Sequence, residues 1–403
     1  MKFNKLSQLF LVSIIGLMVA TLLTSCAYVT IDYVFIANSA GSGSGSSGQI
    51  QTYDADSSTG ALRSGQPAVS SGGNNPVAMA ATADYSNLYV VNEASNNVVH
   101  FAIAGNGVLT QKDVVTTSAT PVSVAVNTAE TYLYVVSGPN PSVLTEYSLS
   151  NGAIGNVVQQ ETLSVPSYAT DTIVPTGVNV LANNGAVYVS AYDQSAYNPG
   201  GTTTSTANPG WVFGYAVGSG GSLAPSANSP YKAGVKPSAL VSDPTNRFVY
   251  VTDFASSQLI GYTIQNSTTL DFLINGPFKT GNEPNAICID PRGFYLYVTN
   301  GLDSSVSAYV ISLATGTPSA AVNVTGSQTN STDTTPVSVI VDPALGRFVY
   351  TANNLGNSVS GFRLDPKTGA LQPTQTTPYP TGARPAALAA VPHGNHSLQT
   401  TSP

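Results

Sequence analysis

Seven prolines, Pro76, Pro121, Pro175, Pro237, Pro284, Pro336 and Pro385, each open a similar stretch of chain, at spacings of 45, 54, 62, 47, 52 and 49 residues. A period near 50 constrains the fold more than any composition can, because each copy must be one supersecondary unit packed on its neighbours. After the proline comes a short apolar run, then a turn, then a second run ending in Tyr-Val-Thr-Asn or a variant, then a third run that alternates. Asp243-Pro244, Asp290-Pro291 and Asp342-Pro343 start tight turns, and Asn246, Gly293 and Gly346 can take the positive φ that often ends them. Tyr, Val, Phe and Ile dominate the second run, which reads as a strand. Runs such as Val306-Ser307-Ala308-Tyr309-Val310 alternate as half-buried strands do. Four short strands per unit of about 50 residues describe a propeller blade.

Six copies are complete. The seventh opening, Pro385, starts a copy that stops after one strand, Ala386 to Val391. The missing strands stand at the other end of the chain: 33–38 match a second strand, 49–53 a third, and Leu62 the start of a fourth. The expectation is an all-β fold, a seven-bladed β-propeller of four-stranded antiparallel blades, with the last blade closed by the N-terminal strands. Closing the ring in this way removes free sheet edges.

Tyr297-Val298-Thr299-Asn300 is the signature of the YVTN β-propeller repeat, and the chain resembles that family over nearly all of residues 30–392. The resemblance places it in the seven-bladed superfamily of 6-phosphogluconolactonase-like lactonases, surface-layer propellers and quinoprotein-like propellers. Fold follows from this; function does not.

The N-terminus reads as an address. Lys2 and Lys5 precede an apolar segment, 9–23, that is short for a spanning helix and fits a secretory leader. Leu23-Thr24-Ser25-Cys26 resembles the bacterial lipobox, which implies lipidation of Cys26. The expected organisation is a signal peptide over 1–25, a lipid-anchored tether over 26–32, the propeller over 33–392 and a disordered tail over 393–403. By resemblance to Gram-negative lipoproteins, Ala27 after the cysteine favours the outer membrane. A tether of about seven residues reaches at most ~25 Å, so the bottom face, where second strands start, is expected to face the membrane. Cys288, in the apolar run Ala286 to Ile289, is expected as a buried small hydrophobe.

Charge narrows the partners. Only 8% of the chain is charged, against roughly 25% in an ordinary domain. Cleavage before Cys26 leaves 11 basic and 20 acidic side chains, a net charge of −9. Nucleic acid is excluded as a partner, since a phosphate groove needs clustered Lys and Arg. Disorder is excluded by a hydrophobic content of 42%.

Candidate chemistry sits at the top face, where second strands end. The last signature positions are Asn38, Asn92, Ser137, Ala191, Asp253, Asn300 and Asn353. A polar ring there could face a ligand, or each Asn and Asp could bond its own loop backbone. Lactonases of the family typically carry Gly-Pro-Arg-His before a first strand and Asn-Glu after a second. Blade one matches the second part with Asn92-Glu93, but has Asn75-Pro76-Val77-Ala78 in place of the first. Glu93 is therefore either a candidate general base, without the Arg and His of the family pattern, or a loop carboxylate. The histidines, His100, His393 and His396, lack metal-site spacing, and no cofactor is expected. Blade three carries an insertion, Tyr192 to Trp211, whose Asp193 and Trp211 are binding candidates.

These features lead to a lipid-anchored, extracytoplasmic scaffold that binds an unknown protein, glycan or small molecule at its top face, as a monomer. The alternative is a lactonase with an altered active site. A redox-partner propeller of the quinoprotein branch has no haem or metal signal behind it.

Overall fold

A computed structural model describes residues 28–39, 47–165, 172–194 and 210–394. Seven antiparallel sheets form seven blades, and no α-helix occurs among the described residues. The first strands, such as Pro284–Ile289, pack side by side around a central channel. The second and third strands follow outward, for example Tyr295–Asn300 and Ser305–Ile311. In blades three to seven the fourth strand is split into two short pieces, as in Leu371–Pro373 and Tyr379–Pro380 of blade six.

The Asp-Pro turns form for a local reason. Asp290 Oδ1 accepts the backbone N–H groups of Phe294 and Tyr295 at 2.7 and 2.8 Å, and Asp243 Oδ1 does the same for Arg247 and Phe248, both at 2.7 Å. The carboxylate thereby pairs donors the turn would leave exposed. Asn246, Gly293 and Gly346 take positive φ, as the turn requires. In blade two, which lacks Asp-Pro, Asn127 Oδ1 accepts from Thr131 and Tyr132 in the same way.

The second strands are largely buried, and six of the seven carry the signature tyrosine; blade seven has Phe35 in its place. Tyr89, Tyr188, Tyr250, Tyr297 and Tyr350 donate their hydroxyls to backbone carbonyls of the following blade, those of Gly152, Thr268, Gly316, Gly369 and Gly60. Burying a phenol requires such a partner. Apolar clusters fill the blade interfaces around these bonds.

Blade seven joins the chain ends. Thr30–Asn38 lies between Pro385–Pro392 and Gln49–Asp56, with Val34 opposite Ala390 on one side and Tyr53 on the other. The strand starts at Thr30, three residues before the expected Tyr33. His393, expected in the tail, donates its backbone N–H to Ile31 and sets its ring edge-on to Tyr33. Cys26, the apolar leader 9–23 and His396 lie outside the described residues.

Candidate functional site: the top face and its channel

Every first strand begins at the top, where its opening residue pairs with the last residue of the signature strand: Pro76 with Asn92, Pro237 with Asp253, Pro284 with Asn300, Pro336 with Asn353. The register slips just after the proline, and the slipped residue lies against the central channel. A cavity of about 350 Å³ fills that channel. Its wall is Val, Ala, Met, Leu and Ile, broken by Ser123, Thr176, Ser238, Asn285 and Ser338. No ionisable side chain is among the described residues that line it.

Several polar lining groups join neighbouring blades. Ser238 Oγ donates to the carbonyl of Pro284 at 2.6 Å, and Asn285 Nδ2 to that of Pro336 at 3.3 Å. Ser123 Oγ accepts from the N–H of Val178, and Ser338 Oγ from that of Leu388. A serine that accepts from an N–H keeps its own hydroxyl hydrogen to donate.

The ring of signature residues lies beneath the surface. Asn38, Asn92, Ser137, Ala191, Asp253, Asn300 and Asn353 are all buried. Asn92 exchanges hydrogen bonds with Ser71, accepting from its Oγ at 2.6 Å and donating to its carbonyl at 3.0 Å. Asn300 accepts the N–H of Gly281 and donates to Ser305 and Ser307. Asn353 donates to Ser358 and Ser360, and Asn38 to Gln51. Asp253 accepts the N–H groups of Val235 and Lys236 at 3.0 and 2.9 Å, and the amide of Gln258. The contacts of Asn92, Asn300 and Asp253 hold the loops that lead into Pro76, Pro284 and Pro237, while those of Asn353 and Asn38 tie the second strand to the third.

Glu93 starts a short 3-10 turn, Glu93–Ser95, and is half-buried. Its carboxylate accepts Asn75 Nδ2, and its N–H bonds the Asn75 carbonyl at 2.9 Å. Asn75 is in the left-handed region at φ 54°, a conformation in which Asn is several-fold enriched. Where the family pattern would put Arg and His, Val77 and Ala78 face the channel.

At the root of the blade-three insertion, the strand Ala186–Asp193 contains Tyr192 and the buried Asp193, and Trp211 begins the next strand opposite Ala191. Residues 195–209 lie outside the described residues. Lys236, before Pro237, sets its Nζ 4.1 Å from the centre of the Phe254 ring and 5.5 Å from that of Tyr192. Burial lowers its pKa, and the nearby Glu283 acts in the opposite direction. Sequence reasoning did not single out Lys236 and Phe254. Their signal was positional: a cation before the opening proline and an aromatic after the signature Asp.

Elsewhere the groups capable of chemistry are scattered. His100, in a third strand, contacts Asp113 at 2.9 Å and Asn87 Oδ1 at 2.7 Å, and stacks on Tyr89. Cys288, expected as buried, is partly buried, and desolvation, then the nearby Asp290, pushes its thiol up and away from a reactive thiolate. No group of three or more His, Cys, Asp or Glu able to hold a metal occurs among the described residues.

The family described as "Lactonase, 7-bladed beta-propeller" matches residues 35–198 and 222–397. The periplasmic gluconolactonase of Pseudomonas aeruginosa superposes with a TM-score of 0.70 at 21% identity, over 90% of this chain and 99% of that one. A putative 6-phosphogluconolactonase from Bacteroides fragilis gives 0.69 at 17%, over 90% and 98%. One from Bacteroides uniformis gives 0.69 at 18%, over 90% and 100%. No curated protein matches the sequence.

Proposed function

Because the chain belongs to the seven-bladed β-propeller lactonase family, we propose that it keeps the propeller as a binding scaffold, taking a partner or small ligand at the top face. The observation that carries this reading is the channel wall: about 350 Å³ of space with no described ionisable side chain around it. Lactone hydrolysis needs an acid or base and a charge-stabilising donor at the reacting carbonyl. Serine hydroxyls, an asparagine and aliphatic groups suit recognition of a neutral, hydroxylated surface better than proton transfer. The scaffold is anchored to the bacterial cell envelope through a lipid on Cys26. Tyr28, at the bottom rim of blade seven, supports the orientation, since its hydroxyl donates to the carbonyls of Asp54 and Ala61 near the Asp56 turn. The top face then points away from the membrane.

The family relationship and Glu93 favour a second reading, a lactonase with an altered site. Glu93 stands beside Asn75 at the mouth of blade one, in the Asn-Glu position of the resemblance.

A lactone-hydrolysis screen of residues 27–403, with Glu93→Gln as control, decides between them. The scaffold reading expects no turnover above background in either protein. Turnover that Glu93→Gln abolishes would establish the lactonase and end the scaffold reading.

A further inference from the structure

Asp32 and Asp342 form a buried pair of carboxyls at the boundary between blades six and seven. Both are fully buried. Asp342 has its two oxygens occupied by the backbone N–H groups of Leu345, Gly346, Arg347 and Phe348, the usual arrangement of the Asp-Pro turn. In two earlier blades the turn carboxylate also meets a cation: Asp243 has Arg247 at 3.8 Å, and Asp290 has Arg292 at 2.7 Å. In blade six the charged neighbour of the turn carboxylate is a second acid, Asp32, from the strand that closes the ring, whose Ile31 and Val34 share a buried cluster with Ala344 and Phe348 of the turn.

Two ionised carboxylates only accept, so Asp32 and Asp342 cannot bond each other while both are charged, and of the groups around Asp32 only the backbone of Ala344 favours its charged form. Two bare negative charges in a dry interface repel, and the contact becomes attractive only when one carboxyl carries a proton. Burial raises the pKa of Asp342 as well, but its backbone N–H donors pull the other way and favour its charged form over that of Asp32, so the shared proton sits chiefly on Asp32. Burial and the neighbouring Asp342 raise the pKa of Asp32 well above the usual carboxylate range. The other titratable groups that sense the pair are phenols: Tyr350 of blade six and Tyr85 of the blade-one turn. No described cation acts on Asp32.

We propose that Asp32 and Asp342 share one proton as a clasp between the N-terminal strand and blade six, making closure of the ring sensitive to alkali. The strand concerned pairs with Pro385–Pro392 on one side and Gln49–Asp56 on the other, so it holds both ends of the chain. The sign follows from linkage. The folded protein keeps the proton where the unfolded chain has lost it, so stability falls as pH rises from the ordinary carboxylate pKa through the raised one. In an extracytoplasmic protein the clasp would answer to external pH.

The test compares residues 27–403 with their Asp32→Asn variant by thermal unfolding between about pH 5 and pH 9. All strands among the described residues lie within Thr30–Pro392, which this chain retains. Asn donates to Asp342 as the protonated acid does and cannot ionise. The wild-type Tm is expected to fall relative to Asp32→Asn steadily as pH rises, while the two converge at the acid end. A difference that does not change with pH would overturn the proposal. So would a Tm difference that appears only with calcium and vanishes with chelator, because a cation rather than a proton would then hold the pair. If Asp32→Asn fails to fold, infrared spectroscopy of the wild type near neutral pH is read alongside Glu146→Gln. A protonated-carboxyl band that persists in Glu146→Gln supports the clasp, and absence of the band overturns it.

Discussion

The Tyr134 hydroxyl donates to Glu146 Oε1 at 3.2 Å, inside its own blade, whereas five other signature tyrosines reach across to the next blade. What differs is an acceptor on the neighbouring third strand. Blades three, four and six have Gly214, Gly261 and Gly361 opposite the tyrosine, blade five has Ala308, and blade one has His100, whose ring nitrogens are paired with Asp113 and Asn87. Blade two has Glu146 there, fully buried, with Oε2 unpartnered. Burial pushes its pKa up to about 7, and the Tyr134 hydroxyl pulls the other way.

Glu146 therefore penalises the fold as it ionises. Its folded pKa lies above the unfolded value, so stability declines between about pH 4.5 and pH 7 and stays lower above that. The loss is at most ~3 kcal/mol. Glu146→Gln should flatten this part of the pH–stability profile, as measured by urea unfolding at several pH values. A profile identical to wild type would mean that Glu146 titrates normally.

The Tyr350 hydroxyl bonds the carbonyl of Gly60 at 2.9 Å and so ties blade six to the N-terminal part of blade seven. Tyr350→Phe keeps the ring and removes the bond. It should cost about 1 kcal/mol, somewhat more if the carbonyl is left dry. Tyr134→Phe removes no bond between blades but takes the donor from Glu146, so the two losses are compared by denaturant midpoint at about pH 5, where Glu146 is protonated.

Gly60 is held at φ +69°, and a Cβ there would stand 2.2 Å from the Phe348 ring. Both the backbone and the space select glycine. Gly60→Ala should destabilise by roughly 1–3 kcal/mol through backbone strain, with a further loss from the clash. Gly220 has a similar φ of +71° with open space around it. Gly220→Ala should cost only the backbone part, so a larger Tm loss for Gly60→Ala measures the contact with Phe348.

How much of this the sequence disclosed depended on periodicity. Asp290-Pro291 and Gly293 recur in form from blade to blade, so turn, register and blade count could be read from them. The start of the closing strand was hidden by Asp32, since a carboxyl that is buried only because it can hold a proton looks like solvent-exposed tether. The site was harder still. Asn300 marked the top of its strand correctly, yet sequence cannot say whether its amide faces the channel or the loop around Gly281. That depends on a register slip after Pro284, which has no residue signature of its own. Lys236 and Phe254 are 18 positions apart and meet only because Pro237 and Asp253 pair.

Arg292 and Asp290 are both almost wholly buried, joined by Arg292 Nε at 2.7 Å, and Arg292 Nη2 reaches the Gly346 carbonyl in blade six at 3.2 Å. The pair therefore links two blades through one guanidinium. Removing only the cation leaves the Asp290 carboxylate buried without its partner, and breaking such a pair costs roughly 3–5 kcal/mol. Arg292→Met should show that loss. Arg292→Lys should recover little of it, because an ammonium cannot meet Asp290 and Gly346 with the same planar fork. The double change Asp290→Asn with Arg292→Met should be milder than the sum of the single changes. Asn keeps the oxygen that accepts from Phe294 and Tyr295 and carries no charge. A double-mutant cycle on urea midpoints reads the coupling directly. Additive single losses would mean that the guanidinium stabilises the blade junction by packing rather than by compensating Asp290.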